Sequence, residues 1–243
     1  MSFNNTYSDL ESGYGEESQG KWSILQERYD PEADVRRGFI KKVYGILSFQ
    51  LMITTGVCAT FMKVEDVRDF VIRTPALMWV GFALSLVFLF ALLAYRKSHP
   101  TNMVLLTIWT FIQSYTVGVI CAVYSSEGKD MLVLQALGLT LGIFLGLTAF
   151  TFQSKINFSF MGAGLMLSLW TLILWSLMSW IMGWQTGFLF SLFGAMIFSG
   201  FIIYDTWRLS KQYSIDEYIQ ASIELYLDVI NLFIYILRLL DRN

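Results

Sequence analysis

The stretch FIIYDTWRLSKQYSIDEYIQASIELYLDVINLF, residues 201–233, decides how this chain folds. It places Asp205 near the end of one apolar run and Asp228 well inside the next. A charged side chain at the centre of a bilayer is unfavourable by roughly 3 kcal/mol or more, so such residues turn toward protein or water. The two aspartates therefore predict helix faces that lie inside a protein bundle.

The composition is that of a membrane protein. Of the 243 residues, 55% are hydrophobic and only 15% are charged, which is too little charge for a soluble domain of this length. The charges concentrate before residue 43 and between apolar runs of about 20 residues, the length that crosses a bilayer. A run such as ALMWVGFALSLVFLFALLAY does not alternate, which argues against a β-barrel.

The hydropathy pattern predicts an all-α integral membrane protein, a seven-helix bundle formed by one domain over residues 36–243. Residues 1–35, rich in Ser, Gly, Tyr and acids, are predicted to form a flexible tail without the basic and apolar regions of a signal peptide. The chain has no basic patch suited to nucleic acid. The predicted spans cover residues 43–62, 76–95, 103–124, 131–152, 158–182, 187–204 and 219–237.

The positive charges predict the orientation. With a cytosolic N-terminus, eleven of the 17 Lys and Arg residues lie in the tail or in the loops on the cytosolic side. The N-terminus and the loop between spans six and seven are therefore expected in the cytosol. The C-terminus stays open, because a full seventh crossing places it outside and a re-entrant segment returns it to the cytosol.

The last span carries a polar stripe. Its polar residues recur at spacings of three and four, which places them on one face of a helix. Because this stripe must face protein or water, the last helix is predicted to be central, surrounded by the other six. The stripe consists of Glu224, Asp228, Asn231, Tyr235 and Arg238.

The two aspartates are the candidate functional residues. Membrane-embedded acids usually mark ion or proton paths, although Asp205 is also consistent with an ordinary carboxylate at the interface. If Asp205 and Asp228 face each other, we expect them to share a proton and titrate as a coupled unit. Such a pair would hold a channel closed when it shares the proton and loosen it when both groups ionise.

Helix arithmetic alone does not bring the pair together. SIDE, residues 214–217, is a predicted capping box that starts the last helix near Ile215 and places Asp228 about 20 Å along it. Asp205 lies only about 10 Å from the end of span six, if that helix runs to Lys211. The pair meets only if an interfacial turn, a bend or a strong tilt intervenes.

Three further features favour structural interpretations. Gly138, Gly142 and Gly146 form a four-residue repeat that predicts close packing of span four against another helix. Cys58 and Cys121 lie in apolar runs and are predicted to be small buried hydrophobic residues. The single histidine is given no role.

Several motifs resemble the BAX-inhibitor-motif family, also called Lifeguard proteins. They are VRRGFIKKVYGILSFQL, TPALMW, LTAFTFQSKINFSFMGAGL, FSGFIIYDT and ELYLDVINLFIYILRLL, and the third and fourth are closest to the Golgi anti-apoptotic branch. The resemblance implies a seven-helix fold with a central last helix, residence in Golgi or endoplasmic reticulum membranes, Ca²⁺ leak from those stores and suppression of cell death. It implies no cofactor, with Ca²⁺ as the permeant ion, H⁺ as a candidate exchanged ion, and cell-death proteins as candidate partners.

The resemblance also assigns residues. The two sensor aspartates of the family map onto Asp205 in YDT and Asp228 in LYLD, where Ca²⁺ would bind only in transit. The basic partner maps onto Arg96 in LLAYRKSHP, for which the alternative is a topological arginine beside Lys97. A further acid implicated in conduction maps onto Asp216, although the adjacent Glu217 fits a shifted alignment. With Glu224 and Asn231, Asp216 makes a predicted secondary pathway.

Two other functions compete with a cation pathway. Intramembrane aspartyl proteases also carry a Tyr-Asp pair and a second Asp on successive spans, but they need Gly-x-Gly-Asp at the second acid, whereas here Asp228 follows Leu-Tyr-Leu. Their Pro-Ala-Leu element lies in a later span, whereas the triplet here begins at Pro75, before span two. A scaffold that binds receptors or death regulators would not need the buried acids. The chain is therefore predicted not to be an enzyme.

Overall fold

The computed structural model describes residues 31–241, which form helices joined by short loops, with no strand among them. Residues from Ile40 onward form one compact unit, which contains the candidate site, and the residues before Ile40 belong to another. The predicted tail lies outside the described residues up to position 30, whereas residues 31–35 belong to the first helix. The helices are α1 Pro31–Lys63, α2 Glu65–Arg73, α3 Ala76–Tyr95, α4 Thr101–Ser126, α5 Asp130–Gln153, α6 Met161–Met182, α7 Phe188–Lys211 and α8 Tyr218–Leu240, with short 3₁₀ helices at Phe158–Phe160 and Ile215–Glu217.

Six helices are long and apolar enough to cross a membrane: α1, α3, α4, α5, α6 with its preceding 3₁₀ turn, and α7. They match the first six predicted spans, and the bounds of α3 are the predicted ones. The last helix, α8, is absent from this group. Hydropathy alone therefore supports six crossings, and the placement of α8 rests on its packing.

A short helix that the sequence analysis missed follows the first span. Helix α2 is amphipathic, with Val71 buried and Phe70 more than half exposed. Its buried side packs against α4, where Val71 joins Val119 and Ala122 in a small apolar cluster. Nine residues are too few to cross a membrane, so the pattern of a surface-lying helix fits α2 better than that of a span.

Helix α8 is one continuous helix that runs along the length of α4. Near its start, the Tyr218 hydroxyl accepts a hydrogen bond of 3.1 Å from Asn102, which lies in the first turn of α4. Just past its end, Asp241 accepts a hydrogen bond of 2.8 Å from Lys129, which follows α4. A re-entrant segment would bring both ends of α8 to the same end of α4, and the structure does not have that arrangement.

The surroundings of α8 are protein on most sides. More than half of its 23 residues are buried, and it packs against α4, α5 and α7. A hydrogen bond of 2.8 Å between Tyr226 and Thr54 adds α1 to its neighbours. Most contacts of α8 are therefore made with other helices of the protein.

The predicted glycine ridge of α5 does not pack within the chain. Gly138, Gly142 and Gly146 are exposed, and a Cβ added at any of them meets no atom within 4 Å. The reason is rotational, because α5 turns Ala136 and Thr140 inward instead. Close approach occurs at Gly194 of α7, where an added Cβ would collide with the ring of Tyr235.

The two cysteines are free thiols on α1 and α4. Cys121 is buried, as predicted, whereas Cys58 is half-buried.

Candidate functional site

The two predicted aspartates lie together between α7 and α8. Asp205 is 6% exposed and Asp228 is 5% exposed, and their carboxyl groups lie close enough to interact electrostatically. Asp228 Oδ2 is buried and has no hydrogen-bond partner among residues 31–241. Two carboxyl groups can hydrogen bond to each other only when one of them carries a proton. The geometry therefore suits a shared proton.

A short linker joins the two helices. Helix α7 ends at Lys211, about 9 Å beyond Asp205. Residues 212–214 lie outside the helices, and the N–H groups of Gln212 and Tyr213 both donate to the Arg208 carbonyl oxygen, at 2.7 Å and 3.0 Å. The predicted capping box of Ser214 and Glu217 is present, in a 3₁₀ turn that precedes α8. The two aspartates therefore meet across an interfacial turn, one of the three arrangements that the sequence left open.

Arg208 connects the pair to a third acid. Its Nη1 atom donates to Asp205 Oδ1 at 3.0 Å and to Glu224 Oε2 at 2.6 Å. The Arg208 side chain is 24% exposed, so these ion pairs are only partly screened by solvent. Arg208 lies one turn after Asp205 on α7, and Glu224 lies one turn before Asp228 on α8. Two successive turns of each helix therefore meet in register.

Glu224 is the hub of a hydrogen-bond network that leads away from the pair. Its Oε2 atom also accepts a hydrogen bond from the Tyr213 hydroxyl, and its Oε1 atom accepts one of 3.0 Å from Gln220. Burial, together with the neighbouring Glu224 carboxylate, raises the pKa of Tyr213, so that its hydroxyl stays a donor. Gln220 in turn accepts a hydrogen bond of 2.9 Å from Arg96, which follows α3.

The guanidinium beside the pair is therefore that of Arg208 and not that of Arg96. The predicted direct contact of Arg96 with the aspartates is absent, because Gln220, Glu224 and Arg208 lie between them. The sequence held a signal for Arg208, since three residues separate it from Asp205 and side chains at that spacing on a helix are neighbours. In the orientation argument, Arg208 counts only as one of the positive charges after span six.

The structure does not place the remaining predicted residues at the pair. Asn231 donates to the Leu227 carbonyl oxygen of its own helix at 2.8 Å. Asp216 is exposed in the 3₁₀ turn before α8. Only Glu224, of the predicted secondary pathway, belongs to the network around Arg208.

A second polar face of α8 escaped the sequence analysis. Tyr218, Ser222 and Tyr226 recur every four residues on the side of α8 that meets α1 and α4. The hydroxyl group of Thr54 forms hydrogen bonds of 2.8 Å with Tyr226 and 2.9 Å with Ser114. Helix α8 is thus polar on two faces, and other helices cover both except at Arg238 near its C-terminal end, which is exposed.

The donor set does not form a resident metal site. Within residues 31–241 no group of three or more His, Cys, Asp or Glu side chains is placed to hold a metal ion. Ca²⁺ takes six to eight oxygen ligands, whereas the pair offers two carboxyl groups with a guanidinium beside them. A Ca²⁺ ion would therefore be held weakly at this point.

Comparison with known proteins gives the family. Residues 36–243 match the model of a family described as inhibitors of apoptosis-promoting Bax1. The chain is 41% identical over 208 residues to the Golgi anti-apoptotic protein of vaccinia virus (strain Lister), covering 85% of this chain and 86% of the relative. It is 43% identical over 209 residues to mouse protein lifeguard 4, covering 85% and 86% of the two chains. Bax inhibitor 1 of Schizosaccharomyces pombe is 39% identical over 209 residues, which are 85% of this chain and 77% of that relative.

Proposed function

Because the chain belongs to the family of inhibitors of apoptosis-promoting Bax1, we propose that it restrains cell death by letting Ca²⁺ leak from an intracellular store through its own helices. The relatives whose names contain Golgi support residence in Golgi membranes, and the endoplasmic reticulum is a second proposed location. The observation that carries the proposal is that the carboxyl groups of Asp205 and Asp228 are both buried and lie together between α7 and α8. An apoptosis-related scaffold has no evident need for such a pair.

In this proposal α8 is the seventh crossing and the central helix. Its contacts with Asn102 at one end of α4 and with Lys129 at the other support a full crossing. With the N-terminus in the cytosol, the Asp205 pair lies toward the cytosolic side and Asp241 lies toward the lumen.

The pair acts as the gate. When Asp205 and Asp228 share a proton, the hydrogen bond between them holds α7 against α8. When both ionise, like charges repel at short range and the helices loosen, while Arg208 stabilises the ionised Asp205. Lowering the cytosolic pH therefore closes the pathway.

The charges of the site favour cations. Three acids, Asp205, Glu224 and Asp228, face one cation, Arg208, so the cluster is negative even when one proton is shared. The weak donor set suits an ion in transit, because permeation requires release as well as binding. Since Ca²⁺ and the shared proton compete for the same oxygens, H⁺ exchange is compatible with the same geometry.

Proteolysis is the alternative that the paired aspartates favour, because aspartyl proteases also use two carboxyl groups that share a proton. Two features argue against it. Arg208 forms an ion pair with Asp205, which stabilises the ionised form of that carboxyl group and disfavours the shared proton that a protease needs. In addition, Asp228 follows a Leu-Tyr-Leu sequence whose bulky side chains leave less room for a peptide than glycines would.

A scaffold without transport would retain its partners when both aspartates are replaced.

Ca²⁺ efflux from liposomes that contain only this protein tests the proposal. We expect Asp228→Asn to change the leak, because the amide keeps the shape and removes the charge. The matched control is Asp66→Asn, which removes an exposed carboxylate on α2, away from the pair. Unchanged efflux through folded Asp228→Asn protein would refute the channel. Cleavage of a membrane peptide that is lost in Asp228→Asn would favour the protease.

A further inference from the structure

A large apolar cavity lies on the other side of α8 from Arg208. Its volume is about 620 Å³, within the range of ligand pockets. It opens between α1 and α5, α4 forms part of its wall, and Val229, Ile230 and Phe233 of α8 form its floor. The walls belong to helices that are long and apolar enough to cross a membrane. The cavity therefore faces hydrocarbon and not water.

Three of the four hydroxyl groups that line the cavity, all except that of the exposed Thr55, already form hydrogen bonds to the backbone. Ser48 donates to the Tyr44 carbonyl oxygen at 2.7 Å, and Thr140 donates to the Ala136 carbonyl oxygen at 2.7 Å. The hydroxyl of Thr54 is within 2.9 Å of the Gln50 carbonyl oxygen. No Asp, Glu, Lys or Arg lines the cavity. A polar head group would find little to bind here, whereas a hydrocarbon chain would.

The length of the cavity also fits a hydrocarbon chain. Along α1 it extends from Ser48 to Ala59, which is about 17 Å at 1.5 Å per residue. The hydrocarbon core of a bilayer is about 30 Å thick, so one leaflet, the depth of one acyl chain, is about 15 Å. The rim residues Met52 and Leu141 are 69% and 52% exposed, whereas the floor residues Val229 and Phe233 are each 7% exposed. A chain from the bilayer can enter at the rim and reach the floor.

We propose that this cavity binds one acyl chain of a membrane lipid, which lies between α1 and α5 and packs against Val229 and Phe233 of α8. The chain fills a gap that the helices of the protein leave open. Because Val229 directly follows Asp228, the bound lipid supports the segment of α8 that carries the buried acid. Binding of the lipid does not depend on whether the protein conducts Ca²⁺.

Photolabelling in bilayers tests the site. The full chain is reconstituted in phosphatidylcholine nanodiscs in which a small fraction of the lipid carries a diazirine on one acyl chain, and the adducts are mapped by mass spectrometry after irradiation. Lipid around the protein labels exposed positions such as Leu145 of α5. Adducts at Val229 and Phe233 require a chain inside the cavity, because these side chains are buried. We expect both sets of adducts in the wild type.

Two substitutions on α5 form the matched pair. Leu141→Trp places an indole at the rim of the cavity, so we expect loss of the adducts at Val229 and Phe233. Leu145→Trp, one turn away and similarly exposed at 55%, lies outside the cavity and should leave those adducts unchanged. If Leu141→Trp does not fold, Met52→Trp blocks the rim from α1.

Three results would overturn the proposal. The first is labelling of outer positions without adducts at Val229 and Phe233. The second is equal labelling of the floor in the Leu141→Trp and Leu145→Trp proteins. The third is floor labelling that is present when a nanodisc holds one copy of the chain and lost when it holds two, which would make a second copy of the chain the occupant. Ca²⁺ efflux enters none of these readouts, so a failure of the channel and a failure of the lipid site are distinguished.

Discussion

If the chain conducts Ca²⁺ as proposed, replacing Arg208 by Gln is expected to raise the pH at which the leak closes. Arg208 stabilises the ionised form of the Asp205 pair through a charge-assisted hydrogen bond of 3.0 Å. Such a bond contributes about 1.5–3 kcal/mol, and the partial exposure of the guanidinium favours the lower half of that range. At about 1.36 kcal/mol for each pH unit, its loss shifts the midpoint by about one to two units. The shift is upward, because ionisation of the pair then requires a lower proton concentration.

The assay measures Ca²⁺ efflux from liposomes over a series of pH values on the cytosolic side. Arg96→Gln is the matched control, because it removes the same kind of group from the far end of the hydrogen-bond network. We expect its midpoint to stay close to that of the wild type. If folded Arg208→Gln protein closes at the same pH as the wild type, the pair is not coupled to Arg208. If Arg96→Gln instead moves the midpoint by the larger amount, Arg96 is the regulatory arginine.

Two further predictions concern the packing of the helices. Gly194→Ala should lower the unfolding temperature in detergent, since its Cβ meets the Tyr235 ring and overpacking costs about 1–3 kcal/mol; Gly142→Ala, which meets nothing, should leave that temperature unchanged or slightly raised. An equal loss in both variants would contradict the packing described here. Hydrogen bonds from Lys129 to Asp241 and Glu127 raise the pKa of Lys129. Because Asp241 directly follows α8, Lys129→Met should speed amide exchange at the C-terminal end of α8, while exchange at its N-terminal end stays constant. Unchanged exchange at both ends would show that this contact does not anchor the helix.

Local chemistry made much of the fold predictable. Runs of apolar residues located six crossings, and the bounds of α3 agree with the prediction because its charged neighbours mark both ends. The capping box of Ser214 and Glu217 fixed the start of the last helical segment, since its two hydrogen bonds form within four residues. These features depend on neighbours in sequence, which a single chain displays directly.

It was harder to predict which side of each helix faces lipid and which side faces the protein. Lipid and protein interior are both apolar, so the outer face of α5 has no polar marker, and the small residues at Gly142 and Gly146 were assigned to the wrong side. Helix α2 was missed because nine residues with mixed charge look like a loop in a scan for spans. The hydrogen bond between Thr54 and Tyr226 joins positions 172 residues apart, and sequence spacing gives no sign of it.

The candidate site shows the same division. The acids were found because charge in an apolar run is conspicuous, whereas their cation was assigned to Arg96 and the structure has Arg208 in that position. Both arginines follow an apolar run on the same predicted side of the membrane. Only the placement of Glu224 opposite Arg208 distinguishes them, and that depends on the register between α7 and α8.

The short connection between α7 and α8 has a consequence for how the chain is made. Helix α8 carries too many polar groups to partition into lipid as readily as the other spans, and its charged partner Arg208 precedes it by only ten residues. When α8 leaves the ribosome, the group that neutralises Glu224 has therefore already been synthesised. If α8 is the seventh crossing, as proposed, the two helices are suited to enter the membrane as one hairpin, in which the acids of α8 already face Arg208.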